Sequence, residues 1–182
     1  DKPFYDESGG GMTLSGGEVL QQAEFAAALA DAARAEGIHV AAETTGYASP
    51  ARFAAFMEHI DLFLFDFKHA DREAHFAGTG VYNDVILENL QQLVRAGRPV
   101  IARIPVIPRF NSSPASAKAM AARLRELGVH EVHLLPFHQF GQNKYTQLGI
   151  PYEMAQYKQL HPEVLTNYRQ IFLDEGLDCT FR

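Results

Sequence analysis

Cysteine is almost missing from this chain: Cys179 is the only one in 182 residues. A lone thiol excludes an internal disulfide framework and suits a reducing cytoplasm. No apolar run approaches the ~20 residues that a membrane-crossing helix needs, and no signal-peptide pattern is visible. Basic residues are outnumbered, 16 Lys and Arg against 22 Asp and Glu, and the formal charge of −6 argues against a general nucleic-acid surface. Neither a Ser-His-Asp set nor a paired-carboxylate arrangement stands out, which removes the usual basis for hydrolytic catalysis. What remains is a sequence 47% apolar and 21% charged, the balance of a soluble globular protein and long enough for one domain over residues 1–182.

Its punctuation is regular. Four times an apolar pattern of helical period ends at a glycine and gives way to a short β-prone run: 21–36 before Gly37, 88–96 before Gly97, 115–127 before Gly128 and 163–175 before Gly176. Glycine just past a helix supplies the left-handed conformation that closes it. Ser49-Pro50, Ser113-Pro114 and His161-Pro162 mark helix starts, where the N–H that proline lacks is not needed. Helices and strands that alternate in this way build βαβ units and a parallel sheet, either open or closed toward a barrel. Ser15, Glu43, Asp66, Lys68, Arg103 and His138 all fall at or just past the ends of predicted strands. In both architectures that is the edge where binding sites assemble.

The densest local signal is Gly9-Gly10-Gly11-Met12-Thr13-Leu14-Ser15-Gly16-Gly17-Glu18. A short strand ends in a Gly-Gly turn, a carboxylate follows, and an apolar helix begins. Glycine count alone indicates no more than a turn. The order of the residues suits a small zwitterion, with backbone amides for its carboxylate and Glu18 for its ammonium. Asp66 and Lys68, two apart after an apolar run, point to the same side of a strand; they are either a local ion pair or a ligand contact. Arg103 lies in an apolar strand and needs an anionic partner. Glu43 and Asp66 together offer hard oxygen ligands of the kind that suit Na+, K+ or Mg2+.

Taken in order, GGGMTLSGGE, Glu43-Thr44-Thr45-Gly46, Asp66-Phe67-Lys68, Arg103-Ile104-Pro105-Val106-Ile107-Pro108 and Leu134-Leu135-Pro136-Phe137-His138 resemble the radical S-adenosylmethionine enzymes that activate glycyl radical enzymes. Pyruvate formate-lyase activating enzyme is the type member of that family. The resemblance runs from Gly9 to the last strand. It implies an α/β fold, a partial (β/α) barrel of about five parallel strands left from a (β/α)6 barrel. It also implies an S-adenosylmethionine site formed by Ser15, Gly16, Gly17, Glu18, Glu43, Asp66, Phe67, Lys68, Arg103 and His138, in which Gly16, Gly17 and Glu18 hold the amino group and Lys68 meets the methionine carboxylate. The implied activity is reductive cleavage of S-adenosylmethionine by a 4Fe-4S cluster. The 5′-deoxyadenosyl radical so formed takes hydrogen from a glycine of a partner such as pyruvate formate-lyase, with an electron donor such as flavodoxin.

Two departures stand out. The family's Cys-x-x-x-Cys-x-x-Cys loop is not in this sequence, and a thiolate cluster needs several cysteines. The chain is therefore expected to be the C-terminal part of a longer activating enzyme and inactive alone. The carboxylate expected as Asp at position 43 is the longer Glu43, which weakens the case for a cation site. A different class of function, a non-catalytic (β/α) module that binds a nucleoside or phosphate, shares the Gly-rich strand ends. The coding sequence upstream of Asp1 discriminates the two readings.

Overall fold

A computed structural model describes residues 2–140, 145 and 147–182. Six parallel strands form one sheet: β1 (Gly11–Leu14), β2 (His39–Thr44), β3 (Leu62–Asp66), β4 (Val100–Val106), β5 (Glu131–Pro136) and β6 (Asp178–Phe181). Each pairs with its neighbour in sequence, in the order β1-β2-β3-β4-β5-β6. The order never reverses, so all crossovers wind in one direction and the helices collect on a single face, as in a barrel rather than a doubly wound sheet. The α/β class and the partial-barrel form match the sequence expectation. The strand count is six, because both the short β1 and the C-terminal β6 complete their ladders.

Helices among the described residues include α1 (Lys2–Ser8), α2 (Ala23–Ala35), α3 (Pro50–Met57), α4 (Arg72–Thr79), α5 (Asp84–Arg95), α6 (Pro114–Leu127) and α7 (Thr166–Asp174). Ser49 and Ser113 cap α3 and α6 through their hydroxyls, with Pro50 and Pro114 at the first helical turn as expected. Pro162 opens a 3₁₀ turn, Pro162–Leu165, that leads into α7, and another such turn, Val19–Gln22, leads into α2. Two helices were not legible in the sequence. One is α1, at the start of the sequence. The other is α4, whose start is fixed by Asp71 accepting from Ala74 N–H at 2.7 Å.

Strand alternation separates two chemistries. On β3 and just past it, Phe63, Phe65 and Phe67 are buried toward the helices, where Phe53 of α3 meets the Phe63 and Phe65 rings at 5.9 and 6.3 Å. On β4 the same side carries Ala102, Ile104 and Val106. The opposite, helix-free face receives Glu43, Asp66 and Arg103, and these are half-buried. The core therefore lies between sheet and helices, and the polar residues share the open face near the C-terminal strand ends.

Candidate functional site

Register brings the strand-end residues together. Asp66 pairs with Arg103 across β3 and β4, Glu43 stands opposite Leu64, and Ser15 follows the Leu14–Ala42 pair. A cleft of about 220 Å³ results, lined by Ser15, Gly16, Gly17, Glu18, Glu43, Thr44, Thr45, Asp66, Arg103, Pro105 and Leu135.

Glu18 is the most constrained group in it. Its Oε1 accepts from Leu20 N–H at 3.2 Å and from the Thr44 hydroxyl at 2.6 Å. Its Oε2 accepts from Thr45 N–H at 2.8 Å and from the Thr45 hydroxyl at 2.5 Å. Four donors saturate the carboxylate. Glu18 ties the loop after β1 to the end of β2, and it leaves the backbone of Gly16 and Gly17 as the part of this loop that faces open space. Gly16 has φ +135, a conformation natural only to glycine, and a Cβ at either Gly16 or Gly17 would meet nothing within 4 Å.

Glu43 bridges two elements. Ser15 donates to its Oε2 at 2.7 Å, and Arg103 Nη1 donates to its Oε1. Partial burial pushes the Glu43 carboxyl upward, but the Ser15 hydrogen bond and the bond and charge of Arg103 outweigh it, so the group lies below the ordinary carboxylate value. Arg103 thus has the anionic partner its position required. Beside this pair, Lys68 Nζ donates to Asp66 Oδ2 at 3.0 Å. Both carboxylates are neutralised by a neighbouring lysine or arginine, and among the described residues no group of three or more His, Cys, Asp or Glu could hold a metal ion.

Three expected site residues do not line the cleft: Phe67, His138 and Lys68, the last of which reaches it only through its bond to Asp66. The Phe67 side chain is buried on the helix side; its backbone N–H donates to Arg103 C=O at 2.8 Å and so aligns the strand ends. His138 is exposed beyond β5, its ring tilted against that of Phe140 with centroids 4.4 Å apart, and does not line the cleft. Conversely, Thr44, Thr45, Pro105 and Leu135 line the cleft without being among the expected site residues. Thr45 sits inside a recognisable strand-end motif, whereas Pro105 and Leu135 carry no chemical signal in sequence.

Chemically, the cleft combines exposed backbone polar groups, two ion pairs and a hydroxyl, a donor set suited to a zwitterion. A thiolate-held cluster does not fit the residues present. Cys179, in β6, is fully buried, and burial with the nearby Asp178 charge, against the pull of Arg169, pushes its thiol up to about 12.

No family model matches the chain. It is 40% identical to the (2S)-3-sulfopropanediol dehydratase activating enzyme of Klebsiella oxytoca, over 98% of this chain and 58% of that protein. It is 48% identical to the isethionate sulfite-lyase activating enzyme of Nitratidesulfovibrio vulgaris, over 80% of this chain and 48% of that protein. The chain therefore spans about half the length of the curated relatives it matches. The crystal structure of a domain of pyruvate-formate lyase-activating enzyme from Bacteroides vulgatus superimposes with a TM-score of 0.78 at 30% identity, covering 95% of this chain and 99% of that one.

Proposed function

The chain belongs to the family of glycyl-radical-enzyme activating enzymes, and from that premise we propose that the protein to which it contributes installs a glycyl radical on a partner enzyme in the cytoplasm. S-adenosylmethionine, when bound, supplies the hydrogen-abstracting chemistry after reductive cleavage. The 4Fe-4S cluster that the family implies needs several thiolates, which Cys179 alone does not supply, and a flavodoxin-like protein is the proposed electron donor. The partner is a glycyl radical enzyme, pyruvate formate-lyase or one of the lyases, decarboxylases and dehydratases named in the relatives.

The part played by these residues is to bind and orient. The open backbone at Gly16 and Gly17 receives the methionine amino end, held in shape by Glu18 through Thr44 and Thr45. Lys68 meets the methionine carboxylate, with Asp66 keeping its ammonium at the strand end. Arg103 and Glu43 close the floor of the cleft as an internally neutral pair, so that the ligand's own charges meet Lys68 and the backbone. The observation that carries the reading is the gathering of five strand-end motifs, from separate parts of the sequence, into one fold shared with the activating-enzyme domain.

The test is the whole protein, reconstituted with iron and sulfide and reduced in the presence of S-adenosylmethionine. Release of 5′-deoxyadenosine, and a glycyl radical signal by electron paramagnetic resonance when a partner is added, are expected. No 5′-deoxyadenosine from a cluster-loaded preparation sinks the assignment.

A further inference from the structure

Lys68 lies beyond the hydrogen-bonded ladder of β3, which ends at Asp66. It also stands where two spaces meet: its ammonium bonds Asp66 of the cleft, and it lines a neighbouring groove of about 810 Å³ walled by Phe110, Tyr152 and Tyr157. A long flexible lysine at such a junction has many rotamers, and its reach depends on where its own backbone is held.

That backbone is held by buried carboxamides. Asn111 Nδ2 donates to the carbonyls of Lys68 and Pro105, each at 2.8 Å. Asn111 Oδ1 accepts from Ile107 N–H at 2.7 Å, and the backbone carbonyl of Asn111 accepts from the buried Tyr168 hydroxyl of α7 at 2.9 Å. Asn83, at the start of α5, donates through Nδ2 to His69 C=O at 3.1 Å and to Ala70 C=O at 3.3 Å. Three successive carbonyls, of residues 68, 69 and 70, are therefore fixed by two asparagines, and both asparagines are buried: Asn111 is 0% exposed and Asn83 is 3%. Neither lines the cleft. A buried carboxamide bonded to backbone carbonyls resists movement of the loop, because shifting it would strand polar groups away from water.

We propose that Asn111 and Asn83 are positioning residues that fix the backbone of Lys68 and thereby set the site's affinity for the carboxylate end of its ligand. The proposal rests on the role given to Lys68 above. It also links the site to α7, since the Tyr168 hydroxyl of that helix braces Asn111.

A double-mutant cycle in the cluster-loaded whole protein tests it, with the dissociation constant for S-adenosylmethionine read by calorimetry. Asn111→Ser is expected to weaken binding about tenfold. In a Lys68→Met background the same substitution should cost no more than about twofold, because the group it positions is gone. Equal losses in both backgrounds would assign Asn111 a general structural role and overturn the proposal. An unchanged dissociation constant for Lys68→Met alone would instead overturn the role of Lys68, which separates the two failures. Should Asn111→Ser fail to fold, Asn83→Ser carries the same cycle and the same expected pattern.

Discussion

Glu18 commits both carboxylate oxygens to the protein, and this makes its substitution informative. In Glu18→Gln one oxygen becomes an NH2 facing N–H and O–H donors at Thr44, Thr45 or Leu20, so donors oppose one another. The expected loss is about 2 kcal/mol of stability together with loosening of the Gly16–Gly17 loop, measured by denaturant unfolding. A variant as stable as the parent would show that the four contacts are replaceable by water. The Glu43–Arg103 pair gives a pH signature. Because the Glu43 carboxyl lies below its ordinary value of 4.5 in the folded protein, its stabilisation is present above that value and is lost as the pH falls through the folded one. Arg103→Met should therefore cost about 1 kcal/mol at neutral pH, solvent screening keeping it below the cost of a fully buried pair. The gap between parent and variant should close as the pH drops below 4.5. A constant gap across that range would mean that Arg103 contributes by packing alone. At this scale the sequence was legible wherever a residue type was chemically odd for its setting. An arginine in an apolar strand and a carboxylate after Gly-Gly announced themselves. Asn83 and Asn111 did not, because a buried asparagine and a surface one look alike until the fold supplies the carbonyls.

The elements are joined at their ends by tight local fits. Gly46, in the loop from β2 to α3, has φ +70, and a Cβ there would lie 2.3 Å from the Phe65 ring of β3. The Phe65 ring is fixed in its turn by Phe53 of α3, so it has little room to yield. Asn89 of α5 completes the clamp by donating to Gly46 C=O at 2.8 Å and Ala48 C=O at 2.9 Å. Gly46→Ala should combine backbone strain with overpacking and cost about 3 kcal/mol. A thermal midpoint within a degree or two of the parent's would show that the loop can shift without loss. Helix boundaries in the interior of the sequence were readable because a proline or serine opened them and a glycine closed them, as Ser113, Pro114 and Gly128 do for α6. The α4 helix escaped notice because it is short and its apolar pattern is thin, although Asp71 caps its start and Gly80 closes it. The lead-in turns before α2 and α7 share the apolar pattern of the helices they precede, so the pattern overran both starts toward the N-terminus.

At the scale of the whole molecule, alternation of helix and strand indicated a parallel sheet but left open sheet and barrel unresolved. The order of the strands decided between them, and that order is a property of long-range pairing that periodicity does not carry. A sheet that curls without closing has two edges, here β1 and β6. Gly11 and Thr13 of β1 are exposed, and beside them the helix layer presents Phe25 at 66% and Leu29 at 40% exposure. An unpaired parallel edge next to apolar side chains is a template for another polypeptide. The α1 helix is tied elsewhere: Lys2 donates to Glu36 C=O just past α2, at the end of the strands opposite the cleft. The 182-residue chain is therefore expected to self-associate through β1 and α2, with a sedimentation coefficient that rises with concentration in the micromolar range. Thr13→Lys together with Phe25→Glu, placing charge on the edge strand and on the exposed helix face, should return it to a monomer while leaving its circular dichroism unchanged. A parent that sediments as a monomer at every concentration would show that a four-residue edge strand, Gly11–Leu14, is too short to recruit a partner.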